Sequence, residues 1–318
     1  MIPRRKFLTT AAVTAGSLLS VRTGRAADSS GKRQFTLSLR ASSIGVKADQ
    51  REAMRLAARH GFEAVTPDPG FLTKLSDTQI SELTDRLNSL DLVWGAAGLP
   101  VEYRKDEATF REGLAGLPEK AAAMRAAGVT RVGTWVTPAS DDLTYTQNMK
   151  QHAARLSRCA RVLADHGQRF GLEYVGPQTS LISRRYPFVH TMAETKDLIA
   201  AIGVDGVGFI LDSWHWYTAG ETVDDLLTLT NRDVVACDLN DAPLGRTREQ
   251  QIDNQRELPM ATGVIDLAGF LGGLIEIGYD GPVRAEPFNQ PLAAMDNEAA
   301  CAATAEAMKS AFALAERA

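Results

Sequence analysis

Cysteine and histidine are scarce in this chain of 318 residues, at three and five. Cys159, Cys237 and Cys301 are odd in number, lie 78 and 64 residues apart, and include no CxxC pair. That spacing excludes a disulfide framework and a thiolate metal site. Long apolar runs are also missing. The single candidate, residues 7–21, is broken by Thr and Ser and falls short of the ~20 residues that a membrane-spanning helix needs, so we expect no stable span once the N-terminus is removed. Positive charge is the third shortage. The net charge is −4, yet five of the 35 basic residues crowd into the first 26 positions with no acid among them, leaving 30 basic against 39 acidic residues, or −9, for the rest. Such a domain lacks the positive field behind nucleic-acid affinity, so neither DNA nor RNA is expected as a partner. There is no GxSxG elbow and no P-loop. The run Gly203-Val204-Asp205-Gly206-Val207-Gly208 leads into a strand instead of linking strand to helix, which excludes a dinucleotide fingerprint.

What is present begins with Arg4-Arg5-Lys6-Phe7-Leu8, an Ala/Thr/Leu-rich run to Val21, and Thr23-Gly24-Arg25-Ala26-Ala27. A charged start, a short apolar stretch and a small-residue cleavage site make residues 1–27 a signal peptide. The paired arginines resemble a twin-arginine export signal, with Pro3 where Ser or Thr is usual. This predicts an exported, periplasmic or extracellular protein whose fold begins near residue 30.

From Phe35 onward, short β-rich runs alternate with longer stretches of helical period. Strands are expected to begin near Phe35, Phe62, Leu92, Arg131, Phe170, Val207, Val234 and Pro282. Helices are expected over 48–60, 77–90, 106–127, 144–166, 191–202, 223–229, 265–277 and 292–316. Eight strict repeats imply right-handed βαβ units closing into a single (β/α)8 barrel, an α/β fold. A doubly wound open sheet is the alternative. Gly61, Gly128, Gly167, Gly203 and Gly278 each follow a helical run and precede a strand, as terminating glycines do. No linker or charge block divides residues 30–318, which read as one domain. The long polar stretch 242–263 is either a lid or a disordered insertion.

Active sites of such barrels lie where strands end. Strand five ends on Glu173, strand six on Asp212-Ser213-Trp214-His215, strand seven on Asp238-Leu239-Asn240-Asp241, and strand eight on Glu286. Converging acids repel unless a cation neutralises them, and oxygen donors suit one divalent ion, Mn²⁺ or Mg²⁺ first, with Co²⁺ or Zn²⁺ as substitutes. Asp212 and Asp241 have a second reading as caps of the segments that follow. Glu173 and Glu286 lie inside apolar runs, where an unpaired carboxylate is costly, and are read as functional. His215, three residues after Asp212, is read as a substrate contact. Trp214 and Trp216 divide between core packing and stacking on a sugar face.

Several of these segments together resemble the xylose isomerase-like family of sugar phosphate isomerases and epimerases. They are Glu173-Tyr174, Asp212-Ser213-Trp214-His215, Leu239-Asn240-Asp241-Ala242-Pro243, Arg256-Glu257-Leu258-Pro259, Gly263-Val264-Ile265-Asp266 and Gly278-Tyr279-Asp280-Gly281-Pro282-Val283 with Glu286-Pro287-Phe288. The resemblance spans nearly the whole mature chain. It implies a TIM barrel with a metal ion held by residues at Glu173, Asp212, Asp238 and Glu286. Asp238 departs from the pattern, because ketose epimerase relatives carry His there. Relatives with a three-zinc, histidine-rich nuclease site are excluded, since three of the five histidines fall in helical runs.

The expected function is therefore a metal-dependent isomerase or epimerase acting on a keto-sugar or polyol. Glu173 and Glu286 would be its acid/base pair, His215, Trp214, Trp216 and Arg246 its substrate contacts, and an enediolate its intermediate. A lyase or dehydratase eliminating from a 3-keto-glycoside or inosose is the first alternative, and a non-turnover sugar-binding or accessory barrel the second. A homo-oligomer is left open.

Overall fold

The structure is a computed structural model and describes residues 32–316. The expected signal peptide, residues 1–27, lies outside the described residues. From Gly31 on, the chain forms one compact unit.

Eight parallel barrel strands are formed: β1 (Thr36–Leu39), β2 (Ala64–Val65), β3 in two pieces (Val93–Trp94 and Ala97–Gly98), β4 (Arg131–Trp135), β5 (Arg169–Glu173), β6 (Val207–Asp212), β7 (Val234–Leu239) and β8 (Pro282–Ala285). Hydrogen bonding closes the ring through the split third strand, since Val93–Trp94 pairs with β2 and Ala97–Gly98 with β4. β1 pairs with both β2 and β8. The fold is thus an α/β TIM barrel, as the alternation predicts. Strands β5 to β8 are largely buried on both faces because helices cover the outside and side chains fill the inside. A short antiparallel pair, Ala139–Ser140 with Tyr186–Pro187, lies outside the ring.

The helices follow from capping chemistry. Ser76 and Gln79 form a capping box at the start of Asp77–Ser89, and the Asp296 carboxylate accepts from the Ala299 N–H to open Asn297–Ala315. Gly61 ends Gln50–His60 at φ +72°, a left-handed conformation that costs glycine no Cβ clash. Two expected helices are divided. The stretch 106–127 is Glu107–Ala115 and Leu117–Ala126, because Pro118 has no N–H to continue a helix and instead starts one. The stretch 292–316 separates into Gln290–Ala293 and Asn297–Ala315, with Asp296 restarting the helix. The expected 223–229 helix is the single turn Val223–Leu226.

The long stretch 242–263 is an ordered loop over the barrel mouth, and it is pinned by one side chain. The Asp241 carboxylate accepts from the backbone N–H groups of Ala242, Thr262, Gly263 and Ile265 at 2.7–3.1 Å. Asp241 and Glu257 also exchange backbone hydrogen bonds. Of its two sequence readings, Asp241 takes the structural one.

Candidate active site

Alternation along β5 to β8 decides what faces the barrel axis. Below the mouth the interior is built from small residues around one larger one. A Cβ added to Gly133 would overlap Ile210 Cδ1, and one added to Gly171 would press on Ile210 and Val235. Ala96, Ile210 and Ala236 form a small cluster of their own. Barrel interiors are commonly filled by bulky aliphatics. A long side chain, the buried Arg284 of β8, lines the cleft together with Gly133 and Ile210. Two residues further along the same face is Glu286.

Above this layer the expected acids converge. Ligand-capable oxygens of Glu173, Asp238 and Glu286 lie within 4.8 Å of one another, as do those of Glu173 and Asp212 with a ring nitrogen of His215. All five residues are buried. Glu173, His215 and Glu286 border a cleft of about 480 Å³ that is also lined by Arg40, Arg104, Trp135, Asp253, Arg256 and Phe288. A larger surface hollow beside Lys309 and Glu306 contains no buried carboxylate.

Three of the four guanidinium groups in this space pair with the converging acids. Arg284 donates to Asp238 from Nε at 2.5 Å and from Nη2 at 2.9 Å, a two-pronged pair between residues in register on adjacent strands. Arg256, delivered by the loop, donates from Nη1 to Asp212 Oδ2 at 2.6 Å and from Nη2 to Asp253 at 2.8 Å. Its planar head lies 4.9 Å from the Phe288 ring centre and 5.6 Å from that of Trp214. Arg40, just past β1, donates to Glu286 Oε1 at 2.5 Å. Asp212 also accepts at Oδ1 from the Trp214 N–H and from Asn240 Nδ2, while Asn240 Oδ1 accepts from the Glu286 N–H. Asn240 thereby ties the ends of β6 and β8 together.

Two cleft-lining side chains are incompletely satisfied, Glu173 at Oε1 and Arg256 at Nε, each buried there without a hydrogen-bond partner. Burial, followed by the charges of Glu286, Asp238 and Asp212, pushes the Glu173 carboxyl well above the usual carboxylate range. Burial likewise moves Asp212 up to about 7, against the pull of Arg256. His215 is lowered to about 3 by burial and then by the Arg256 charge, so its imidazole is neutral. Both His215 ring nitrogens face donors, the Gly176 N–H at 3.2 Å from Nδ1 and Arg256 Nη2 at 3.1 Å from Nε2, and a neutral ring accepts from one of them and holds its proton on the other nitrogen.

Residues 54–311 match the model of the xylose isomerase-like TIM barrel family. The chain belongs to this family. An inosose isomerase of Bacillus velezensis is 25% identical over 248 residues, covering 75% of this chain and 83% of that protein. A solved xylose isomerase domain protein from Alicyclobacillus acidocaldarius is 32% identical with a TM-score of 0.78, covering 88% of this chain and 99% of that one. The IOLI protein, solved with a zinc atom, superposes with a TM-score of 0.72 at 18% identity, covering 88% and 98%. These likenesses support an isomerase or epimerase.

Measured against the xylose isomerase-like family, the acid spacing makes a divalent ion plausible here. The lone pairs fit one poorly. Both Asp238 oxygens are held by Arg284, Asp212 Oδ2 by Arg256 and Glu286 Oε1 by Arg40. Of the four expected ligands, Glu173 keeps a buried oxygen without a partner, and Glu286 Oε2, 3.8 Å from Arg256 Nη1, accepts no hydrogen bond.

Other expectations need correction. Trp214 and Trp216 do not line the cleft. Ser213–Ala219 starts a helix directly at Asp212 and turns both indoles into the core, where Trp216 packs on Phe270 and donates to the Thr222 carbonyl. The exposed aromatic surfaces of the cleft are Trp135, stacked under Arg104 at 4.3 Å, and Phe288, whose backbone sits at φ +43°. Arg246 also lies off the cleft, donating to Gln255 within the loop. His190 pairs with Glu194 and is not part of the cleft lining. Arg40, Arg284, Asn240 and Trp135 receive no role from the sequence alone.

Proposed function

We propose that this protein is an isomerase or epimerase of a polyhydroxylated ketone, of the keto-cyclitol or keto-sugar class, working by proton transfer next to the carbonyl. The observation that carries this reading is the pair of glutamates on one cleft in unlike surroundings. Glu173 is buried with an oxygen unpartnered, and Glu286 is ion-paired to Arg40.

Such a difference separates an acid from a base. Glu286 takes the proton from the carbon beside the carbonyl. Glu173, kept protonated by burial, returns a proton to the neighbouring carbon or to the opposite face. The negative charge that develops on the substrate oxygen is met by the Arg256 guanidinium, which lines the cleft beside His215. Trp135 and Phe288 offer apolar faces to the carbon skeleton. No step needs the Mn²⁺ or Mg²⁺ expected from the sequence. The relative named inosose isomerase supports this substrate class, and we propose that the enzyme acts outside the cytoplasm after removal of residues 1–27.

The test is incubation in D₂O with keto-inositols and ketohexoses, followed by NMR. Deuterium entering at carbon with no group lost supports the reading. Elimination products would turn it into a lyase, and neither change would leave a sugar-binding barrel.

A further inference from the structure

Three arginine side chains reach the acids of this barrel mouth. Arg284 pairs with Asp238 beside it in register, Arg256 reaches Asp212 from the loop, and Arg40 reaches Glu286 from the end of β1, while Arg104 at the rim pairs with Glu102. Each of the three contacts engages a carboxylate oxygen that a metal ion would share. Arg256 is the most firmly held. Its Nη1 also donates to the Glu286 carbonyl at 3.2 Å and its Nη2 to Asp253, while Trp214 and Phe288 flank it. An ion bound at Asp212 Oδ2 would have to displace that group or sit against its charge. Arg284 is equally committed. Register places it opposite Asp238, the position where the third family ligand departs from histidine.

We propose that the guanidinium groups of Arg284, Arg256 and Arg40 stand in for the divalent ion, so that this barrel assembles its acids and receives substrate oxygens without a metal. Arginine suits the role because its planar fork pairs carboxylates two-pronged and stays charged when buried. The proposal's catalytic half rests on the proton-transfer reading above, whereas its metal-binding half stands by itself.

The experiment measures both halves on the mature protein. The chain is dialysed against EDTA, then exposed to Mn²⁺ or Zn²⁺, and its metal content is read by mass spectrometry after gel filtration. Wild type is expected to retain far less than one ion per chain. The double variant Asp238→His with Arg284→Leu removes the guanidinium and supplies an imidazole. It is expected to bind Mn²⁺ or Zn²⁺ at least about 10-fold more tightly, the scale on which groups around a metal shell act. Proton exchange on the keto-inositol that wild type turns over should be the same in EDTA as in Mn²⁺. Wild type holding about one ion per chain would overturn the proposal, as would exchange that is lost in EDTA and restored by Mn²⁺. If wild type binds no ion and exchanges no proton in either condition, the functional reading fails while the guanidinium assignment stands. Wild-type metal content decides the matter even if the double variant does not fold.

Discussion

Arg284 and Asp238 face each other in register on neighbouring strands and share two hydrogen bonds, at 2.5 and 2.9 Å, inside a closed barrel. Removing one partner leaves the other charge buried and alone. Arg284→Met is therefore expected to destabilise the fold by about 3–5 kcal/mol. Pairing it with Asp238→Asn should recover a large part of that loss, because no ion then remains unpaired. Denaturant titration of the two single variants and the double variant closes the cycle, and additive losses would show that the two residues do not act as a pair.

The loop carrying Arg256 depends on Asp241, whose carboxylate collects four backbone N–H groups. In Asp241→Ala these donors lose their acceptor, at about 1–3 kcal/mol for each one left buried and unsatisfied. Loss of loop order should also withdraw Arg256 from Asp212. Hydrogen exchange over 242–263 should rise sharply while strands β5 to β8 stay protected. Unchanged protection of the loop would show that Asp241 does not anchor it.

Most of the fold and part of the site are legible in the sequence. Parallel strands buried on both faces read as apolar runs, and glycines such as Gly61 mark helix ends, so eight units can be counted without coordinates. Glu173 and Glu286 stand out because an acid inside an apolar run needs a reason. Arg284, in Val283-Arg284-Ala285, carries the same signal, but its partner lies on another strand and only register shows it. Arg40 and Arg256 come from segments outside the strands, whose paths follow from long-range contacts such as those of Asp241. Trp214 and Trp216 mislead for a local reason. A helix begins at Asp212 without an intervening loop and rotates both rings inward.

Stability should respond to pH through a half-buried acid away from the cleft, Glu221. Tyr174 donates to the Glu221 carboxylate, and the Met192 N–H donates to its other oxygen at 2.5 Å. Burial nevertheless pushes Glu221 up to about 7, against those two donors. A folded-state value above the unfolded one means that the contribution is fully present below about pH 4.3 and is lost as pH rises through 7. Glu221→Gln has no proton to lose, so its stability relative to wild type should improve from pH 5 to pH 8. A constant difference between the two proteins across that range would contradict the assignment.

Export can be read directly. If residues 1–27 are removed as the Arg4-Arg5 segment predicts, intact mass of native protein should correspond to a chain starting near Ala27 or Asp28. A cytoplasmic protein that retains Met1 would contradict it.

Proton transfer by the two glutamates is tested most directly by NMR in D₂O, comparing wild type with Glu173→Gln and Glu286→Gln on the same keto-inositol. Each variant keeps the shape of the side chain and loses its acid/base capacity. Wild type should place deuterium on the carbon beside the carbonyl, and each variant should do so about 10² to 10⁴ times more slowly. Exchange at the wild-type rate in both variants would contradict the account.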